Sequence, residues 1–443
     1  MYNANDTIYA LATVKGRAGV AVVRVSGGKT LQVCDIICKG KMLPPRKMVN
    51  VCLYDRYGEV IDNSLTVFFE GPRSFTGEDV VEFHVHGSLA IIKKLCRCLG
   101  EIEGVRLAER GEFSRRAVMN RKMDLTEAEG LLDLINAETE FQRKIALRQY
   151  NGEQKKLFDD WHNDIVKALA YMEAYLDFPE EEIDGNIEET IQSLIIRLSS
   201  SISAMLEKSS KGEAVRSGYR IAILGKPNSG KSSLLNAIMR RDIAIVSDIE
   251  GTTRDVIEAY IDLDGYPVTF LDTAGIRDAN DAIEIEGVKR ALAAADSADL
   301  ILLLTPADDK DGTVLPVGEK NDKIIRVATK SDLLPDDDSR DDDVSYVKTS
   351  VKNKDSIDNL KKLIAERIAR DLFSLNDSLL THERHRQCLK NCLENLLRAR
   401  NNNLLPLKAE DLRLAARSLA QITGAITTDD LLDVIFGDFC IGK

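Results

Sequence analysis

Residues 225–233 have the sequence Gly225-Lys226-Pro227-Asn228-Ser229-Gly230-Lys231-Ser232-Ser233 and directly follow the apolar run Tyr219–Leu224. This spacing is that of a phosphate-binding P-loop. Gly225 and Gly230 let backbone N–H groups turn inward around phosphate oxygens, where a Cβ would obstruct them. Lys231 can reach the β- and γ-phosphates, and the Ser232 hydroxyl can bind Mg²⁺. Because Ser233–Met239 has a helical pattern, its positive N-terminal end is expected to face the same anion.

Composition limits what the rest of the chain can be. A length of 443 residues predicts about three domains. No apolar run approaches the ~20 residues that span a bilayer, and the N-terminus lacks the pattern of a signal peptide. We therefore expect a cytoplasmic protein with no membrane association, and its eight cysteines are expected to be reduced thiols.

The net charge of −12 argues against nucleic-acid binding through bulk electrostatics. A local basic surface stays possible, because one stretch is rich in Arg and Lys. A solvated helix face explains the same residues equally well. The stretch contains Arg110, Arg115, Arg116, Arg121 and Lys122.

Residue patterns divide the chain into four segments. Residues 1–120 alternate short β-like runs with turns; Val20–Ser26 and Val80–His86 are predicted strands, and Ile91–Leu99 is a predicted helix. Residues 121–217 are predicted to be helical, with apolar residues at helical spacing from Leu125 to Leu176 and again over Ile187–Lys208. Residues 218–373 alternate strands with helices, which is typical of a parallel sheet, and residues 374–443 are helical again. The fold class is therefore multidomain α/β and α, with an N-terminal α+β domain and a helical bundle into which a Ras-like P-loop domain is inserted.

Four further motifs follow the P-loop, and the last two of them select guanine nucleotides. Gly251–Asp255 contains Thr253, which can offer oxygen to Mg²⁺ and the γ-phosphate, and Asp272-Thr273-Ala274-Gly275 would hold the Mg²⁺ shell and sense the γ-phosphate. Thr329-Lys330-Ser331-Asp332 presents an Asp that can accept from guanine N1–H and N2–H₂, with the Lys330 stem against the base. Ser350-Val351-Lys352 would contact guanine O6 through backbone N–H groups. The order of these motifs predicts GTP as the substrate, although this guanine-reading motif usually begins with Asn rather than Thr.

Ile276 occupies the position of the water-orienting Gln of Ras-type enzymes, so either another group helps hydrolysis or hydrolysis is slow. Asn228 in the P-loop suggests that a monovalent cation, K⁺, supplies charge between the phosphates.

Over nearly its whole length the chain resembles the family of tRNA-modification GTPases MnmE, also called TrmE. The resemblance lies in Asp6-Thr7-Ile8, Ser74–Asp79, Gly111–Ser114, Phe178–Asp184 and the terminus Phe439-Cys440-Ile441-Gly442-Lys443. It implies a folate-binding-like N-terminal domain that forms a homodimer, and a tetrahydrofolate derivative (5-formyl or 5,10-methylene) as one-carbon donor. It also implies a heterotetramer with an FAD-dependent partner, MnmG, which alone carries the FAD, and modification of tRNA at C5 of the wobble uridine.

The resemblance also implies site residues. Arg24, Glu82, Lys122 and Lys443 match its folate contacts. Asn228, Ser247, Ile249 and Thr252 match its K⁺ ligands, Ser232 and Thr253 its Mg²⁺ ligands, and Glu284 the carboxylate that positions water. Cys440 matches a cysteine suspected of attacking uracil C6, and the short tail that carries it is expected to be mobile. The expected GTP-binding residues are Asn228, Ser229, Gly230, Lys231, Ser232, Ser233, Ser247, Thr252, Thr253, Asp272, Thr273, Ala274, Gly275, Thr329, Lys330, Asp332, Ser350, Val351 and Lys352.

Two alternatives share these motifs. A ribosome-assembly or regulatory GTPase would bind RNA without altering it, but such proteins usually append a small RNA-binding domain, which nothing in this sequence resembles. A folate-dependent one-carbon transferase would use the GTPase only as a switch.

Overall fold

The structure is a computed structural model that describes residues 6–177, 187–209, 212–239, 257–272, 293–309, 322–333, 346–373, 380–426 and 429–442. Its chain forms two compact units. We call residues 1–132, 150–162 and 419–443 the N-terminal unit, and residues 133–149 and 163–418 the central unit.

Strands and helices are numbered in chain order. The strands are β1 (Thr7–Leu11), β2 (Ala18–Ser26), β3 (Val49–Tyr54), β4 (Val60–Phe69), β5 (Val80–Gly87), β6 (Val105–Leu107), β7 (Tyr219–Gly225), β8 (Ile257–Leu263), β9 (Tyr266–Asp272), β10 (Leu300–Pro306), β11 (Ile324–Thr329) and β12 (Val347–Lys348). The helices are α1 (Thr30–Ile37), α2 (Leu89–Gly100), α3 (Glu112–Met119), α4 (Leu125–Ile135), α5 (Glu140–Tyr150), α6 (Glu153–Asp177), α7 (Ile187–Lys208), α8 (Glu213–Ser217), α9 (Lys231–Met239), α10 (Lys354–Leu372), α11 (Glu383–Asn401), α12 (Leu405–Thr423) and α13 (Asp429–Gly437).

The N-terminal unit contains a six-stranded sheet in the order β3-β4-β5-β2-β1-β6. Neighbouring strands are antiparallel except β1 and β6, which are parallel. Alternate residues of β2 and β5, including Val23, Val25 and Phe83, pack in the core against α1 and α2. Leu95 of α2 lies in the same buried cluster. The predicted strands at 20–26 and 80–86 and the predicted helix at 91–99 are confirmed.

The C-terminal residues pack within the N-terminal unit. Leu432, Phe436 and Phe439 share a buried cluster with Ala117 and Leu125 of α3 and α4. Ile441 then pairs antiparallel with Arg110, and the Gly111 N–H donates to the Cys440 carbonyl at 3.4 Å. The sequence predicts a mobile tail, but apolar burial and backbone pairing hold it in place. The partners in these contacts lie far from the tail in the chain, so the sequence of the tail itself does not indicate them.

The central unit contains a second six-stranded sheet, in the order β12-β11-β10-β7-β9-β8. Its strands are parallel except β8, which runs antiparallel to β9. The prediction of a parallel sheet is therefore wrong at β8. The cause is the two-residue turn Asp264-Gly265, whose φ angles of +50° and +88° make a tight hairpin.

Helix α5 packs against the tip of this hairpin. The Phe141 N–H donates to the Gly265 carbonyl at 3.0 Å, and the Phe141 and Tyr266 ring centroids are 5.2 Å apart. Ile145, one turn further along α5, enters the buried cluster that also contains Tyr219 and Phe270. The helical pattern predicted over 125–176 consists of three helices, and the predicted helix Ile187–Lys208 is confirmed as α7.

An ion network is buried beneath α3 in the N-terminal unit. Arg116, only 1% exposed, donates to Glu112 Oε1 at 2.9 Å and to both carboxylate oxygens of Glu78 at 3.1 Å. Arg106 donates to Glu112 from the other side at 2.7 and 2.9 Å. Burial raises the pKa of Glu112, but hydrogen bonds from Arg106, the Glu109 N–H and Arg116 outweigh it, so the pKa lies below its ordinary value. Arg116 therefore belongs neither to a basic surface nor to a solvated helix face, the two possibilities that the sequence left open for this stretch. Its guanidinium is buried and paired with the carboxylates of Glu78 and Glu112.

We predict that Arg116→Met destabilises the full chain by about 3–5 kcal/mol, because it leaves Glu112 and Glu78 buried without one of their partners. Arg121→Met, at an exposed site nearby, is the control and should cost about 0.5 kcal/mol or less. The midpoint of the first thermal unfolding transition at neutral pH measures the destabilisation in each of the two variants. The gap between Arg116→Met and the parent chain should narrow as the pH falls through the lowered pKa of Glu112, below 4.5, because protonation removes the network from the parent chain as well. Equal melting of the two variants would contradict a stabilising network.

Candidate nucleotide-binding site

The P-loop lies between β7 and α9, as its spacing predicts. Its backbone is left-handed at three positions, with φ of +158° at Gly225, +62° at Asn228 and +93° at Gly230. A Cβ at Gly225 would stand 2.6 Å from both the Leu304 carbonyl oxygen and Ser229 Oγ. Glycine at 225 is therefore required both by conformation and by the close approach of β10.

Polar groups of α9 gather at its N-terminus. Lys231 Nζ donates to the carbonyl oxygens of Gly225 and Lys226 at 2.8 and 3.0 Å, so its charge lies over the loop. Ser232 and Ser233 are exposed in the first turn, and Asn228 is exposed in the loop. The cation and the unsatisfied N–H groups of a helix start suit an anion such as phosphate.

The guanine-reading motif follows the next parallel strands of the same sheet. Thr329 ends β11, Lys330 has φ of +57°, and a short 3₁₀ turn, Ser331–Leu333, carries Asp332. Ser350 Oγ donates to Asp332 Oδ1 and Lys352 Nζ to Oδ2, each at 2.7 Å. These hydrogen bonds, first from Lys352 and then from Ser350, hold the pKa of the Asp332 carboxyl below its usual range. The carboxylate is therefore an acceptor at neutral pH, as recognition of guanine N–H donors requires.

One contact joins this motif to the P-loop. The Thr329 hydroxyl donates to the Ser229 carbonyl at 2.7 Å, across 100 residues of sequence. The motif pattern contained no signal for this contact, although both residues follow buried parallel strands whose carboxyl ends share one edge.

Several expected residues lie outside the described ranges: Ser247, Ile249, Thr252, Thr253, Thr273, Ala274, Gly275, Glu284 and Lys443. The backbone of Asp272 is described. It ends β9 and pairs with Ile223 of β7, two residues before the P-loop begins. Val351 is exposed between Ser350 and Lys352.

The four expected folate residues fall in the N-terminal unit or beyond the described chain. Arg24 and Glu82 are register partners on β2 and β5, and Arg24 Nε donates to Glu82 Oε1 at 2.8 Å. The Arg24 guanidinium also lies over the Phe75 and Phe113 rings, at 5.3 and 5.6 Å. Lys122 Nζ instead donates to the Pro72 carbonyl at 2.9 Å, so it lies against the same 72–75 segment without bonding either member of the pair.

Sequence reasoning missed three residues beside this pair. Phe75 and Phe113 provide the rings under Arg24, and the motif strings Ser74–Asp79 and Gly111–Ser114 contain them without indicating the contact. His84 also lies near, with Nε2 3.5 Å from Glu82 Oε2. Its alternation with Glu82 along β5 would have placed both on one face of the strand.

Cys440 is exposed, while its neighbour Phe439 is buried. The cysteine is therefore accessible on a tail whose backbone is held. Within the described ranges, no cluster of His, Cys, Asp and Glu has the arrangement of a metal centre. None of the helices described there combines the length and the apolar character that a membrane span demands.

A P-loop and an ionised aspartate that follow parallel strands of one sheet are the arrangement typical of a guanine-nucleotide-binding protein of the P-loop class. The chain matches the family models described as "GTP-binding protein TrmE N-terminus" over residues 7–122 and "MnmE helical domain" over residues 125–440. It is 44% identical to "tRNA modification GTPase MnmE" from Rickettsia bellii (strain RML369-C) and 44% identical to the protein of that name from Parvibaculum lavamentivorans. In both cases 99% of this chain and 100% of the relative are covered. The chain belongs to the MnmE family of tRNA modification GTPases, and it is a GTP-hydrolysing enzyme.

A structural comparison adds little to this assignment. The FeoB G-domain from Methanococcus jannaschii is 26% identical, and the match covers 33% of this chain and 95% of that one. Its TM-score of 0.25 is too low to support an inference.

We predict that Asp332→Asn weakens GDP binding by about tenfold or more, because an amide NH₂ would face the guanine N–H donors instead of accepting from them. Binding of xanthosine diphosphate, which presents a carbonyl at C2, should improve relative to GDP. Asp264→Asn is the control, since Asp264 lies on an exposed hairpin turn whose positive φ Asn tolerates. Calorimetric titration with both nucleotides measures the ratio of the GDP affinity to the xanthosine diphosphate affinity. If this ratio is unchanged in Asp332→Asn, Asp332 does not contact the base.

Proposed function

We propose that this chain is the GTP-hydrolysing component of the machinery that installs an aminomethyl-type group at C5 of the wobble uridine in tRNA. It acts with the FAD-dependent partner MnmG and a tetrahydrofolate one-carbon donor. The observation that carries the GTP part is the pairing of Asp332 with Ser350 and Lys352 on the sheet edge that also holds the P-loop. The tRNA part is supported by the two full-length relatives, both of which are tRNA modification GTPases.

In the nucleotide site, the P-loop N–H groups and Lys231 bind the phosphates, and Asp332 and Lys330 bind the base. Ser232 and Thr253 are the proposed Mg²⁺ ligands; hydroxyl oxygens suit this hard cation, and Ser232 stands exposed in the first turn of α9. A bound Mg²⁺ would neutralise charge that develops on the phosphates. Asp272, Thr273, Ala274 and Gly275 complete the γ-phosphate side of the site.

For hydrolysis, Glu284 takes the water-positioning role, because the apolar Ile276 cannot hydrogen-bond a water. Asn228, Ser247, Ile249 and Thr252 are the proposed K⁺ ligands, and they bring two G domains of a homodimer together. Asn228 is exposed in a loop position with a left-handed backbone. Its side-chain amide is therefore accessible to a cation, which supports its place among the K⁺ ligands.

In the N-terminal unit, Arg24, Glu82, Lys122 and Lys443 form the proposed folate site. A carboxylate suits the N–H donors of a pterin, and cations suit the glutamate carboxylates of folate. The rings of Phe75 and Phe113 support the placement of the Arg24 cation by cation–π attraction.

Cys440 is the proposed nucleophile toward C6 of the uracil, which would make C5 reactive toward a one-carbon electrophile. A thiolate is suited to this addition. Its exposure on a tail held by Phe439 and by the Ile441–Arg110 pair supports the role, because a fixed backbone can present the sulfur to a bound base.

We predict that K⁺ accelerates GTP turnover at least about tenfold over Na⁺ at equal concentration, because K⁺ fits a site built from the Asn228 amide oxygen, Ser and Thr oxygens and the Ile249 backbone carbonyl, and supplies transition-state charge. Asn228→Ala should hydrolyse GTP in KCl at the rate that the parent chain shows in NaCl. Asn236→Ala, exposed on α9, is the control and should keep the K⁺ response. Phosphate release measured in the two salts tests this, and equal rates for the parent chain would contradict the cation role.

We also predict that the chain restores wobble-uridine modification in a bacterium that lacks its own MnmE homologue, and that Asp272→Ala does not. Cys440→Ser should hydrolyse GTP normally yet fail to restore modification, whereas Cys98→Ser, in α2, should restore it. Mass spectrometry of tRNA nucleosides provides the readout. Restoration by Cys440→Ser would rule out the nucleophile, and no restoration by the parent chain would contradict the tRNA function.

A further inference from the structure

Cations from three separate parts of the chain meet at the loop that connects β4 to β5. Arg73 lies on this loop. The Arg46 guanidinium donates to the Arg73 carbonyl, and Lys122 Nζ donates to the Pro72 carbonyl at 2.9 Å. Arg46 and Lys122 each have a basic neighbour in the chain. We call the whole set the loop patch: Arg46, Lys47, Arg73, Arg121 and Lys122.

Further hydrogen bonds hold both flanking segments on the loop. On one side, the Asn120 side-chain amide donates to the Thr76 carbonyl at 2.7 Å. On the other side, the Arg46 N–H donates to the Phe68 carbonyl at 2.7 Å. The position of the patch is therefore set by contacts between distant segments, and the basic stretch at 110–122 contains only two of its five members.

The charges of the loop patch are not neutralised by the protein. All five side chains are exposed, and none of them forms an ion pair with a carboxylate of the described residues. Two of the three acidic residues at 70–79 are occupied elsewhere: Glu78 accepts from Arg116, and Asp79 Oδ1 accepts the Gly71 N–H at 2.9 Å. Only Glu70 is fully exposed, so the loop retains one solvated carboxylate beside five cations.

This arrangement suits a ligand with several negative charges. The chain carries a net charge of −12, so its average surface repels a polyanion, and binding has to use a local group of unpaired cations. An RNA backbone presents one phosphate per nucleotide, and Arg and Lys side chains are its usual partners. Three of the five cations are Arg, which can bind one phosphate through two N–H groups.

We propose that the loop patch binds the phosphate backbone of tRNA. This inference rests on the tRNA function proposed above and locates the surface that it requires. The patch supplies affinity and orientation, and it reads no bases. Because Lys122 is also a proposed folate ligand, RNA bound here lies beside the proposed one-carbon donor.

The test is fluorescence anisotropy of a labelled tRNA transcript, titrated with the full chain at several KCl concentrations. The patch variant removes one cation from each segment and keeps Arg46 and Lys122, whose hydrogen bonds hold the loop. Its substitutions are Lys47→Gln, Arg73→Gln and Arg121→Gln. The matched control removes three exposed cations elsewhere in the N-terminal unit: Lys93→Gln, Arg97→Gln and Lys156→Gln.

We expect the patch variant to bind tRNA at least about tenfold more weakly than the parent chain near 0.1 M KCl. The slope of log Kd against log [KCl] should fall by about 2–3, because each lost phosphate contact contributes about 0.7–0.9. The control has the same net charge as the patch variant and should stay within about twofold of the parent chain, with an unchanged slope. If the patch variant does not fold, Arg73→Gln alone should lower the slope by about 0.7–0.9.

Equal affinities and slopes in the patch variant and the control would overturn the proposal, and so would a parent chain that does not bind tRNA. A second titration, with monoglutamyl and pentaglutamyl 5-formyl-tetrahydrofolate, tests another polyanion. If the patch variant keeps its tRNA affinity but loses a preference for the pentaglutamyl form, the patch binds the folate tail instead. The proposed function is judged separately, since it fails only if the parent chain does not restore wobble-uridine modification.

Discussion

The parallel pairing of β7 with β10, and of β10 with β11, is the constraint on which the nucleotide site depends. Leu304 is the register partner of Gly225, and Pro306 that of Thr329, so the P-loop and the base-reading motif begin at the same sheet edge. The three strands are almost entirely apolar, and Ile221, Leu302 and Val327 have no exposed surface. Burial of that apolar surface stabilises the pairing of the three strands. A one-residue slip of β11 would remove Thr329 from Ser229 and separate base recognition from phosphate binding.

In the N-terminal unit the equivalent constraint is electrostatic. Arg116 pairs with Glu112, one turn earlier on α3, and with Glu78 from the segment before β5, and without these carboxylates its buried charge would be uncompensated. Helix α3 in turn packs against the C-terminal residues that end in Cys440. The position of the proposed nucleophile therefore depends on a buried charge network in the same unit, as well as on its own tail.

Local patterns predicted much of the fold and much of the nucleotide site. Hydrophobic runs located β2, β5 and β7, and helical periodicity located α2 and α7. Motif spacing brought Lys231, Asp332 and Ser350 to the correct ends of their strands, because each motif follows its strand directly. The sheet direction at β8 was missed although the turn signal Asp264-Gly265 was present, since strand–helix alternation in the neighbouring segments favoured a parallel crossover. Glu112 and Arg116 are one helical turn apart, a spacing that exposed ion pairs share, so it does not indicate burial; the second carboxylate partner, Glu78, is 38 residues away in the chain.

The amino-acid sequence by itself determined the residues available for chemistry in this protein: a P-loop, an aspartate in the position of a guanine-reading motif, an apolar residue at Ile276 and a cysteine near the C-terminus. These are properties of residue type and spacing, and short-range geometry is enough to express them. Only the tertiary structure decided that Thr329 meets the P-loop, that Arg116 is buried, and that the tail is held beside Arg110 and Gly111. Each of these contacts joins segments far apart in sequence, so it exists only where strand pairing and core burial bring the segments together.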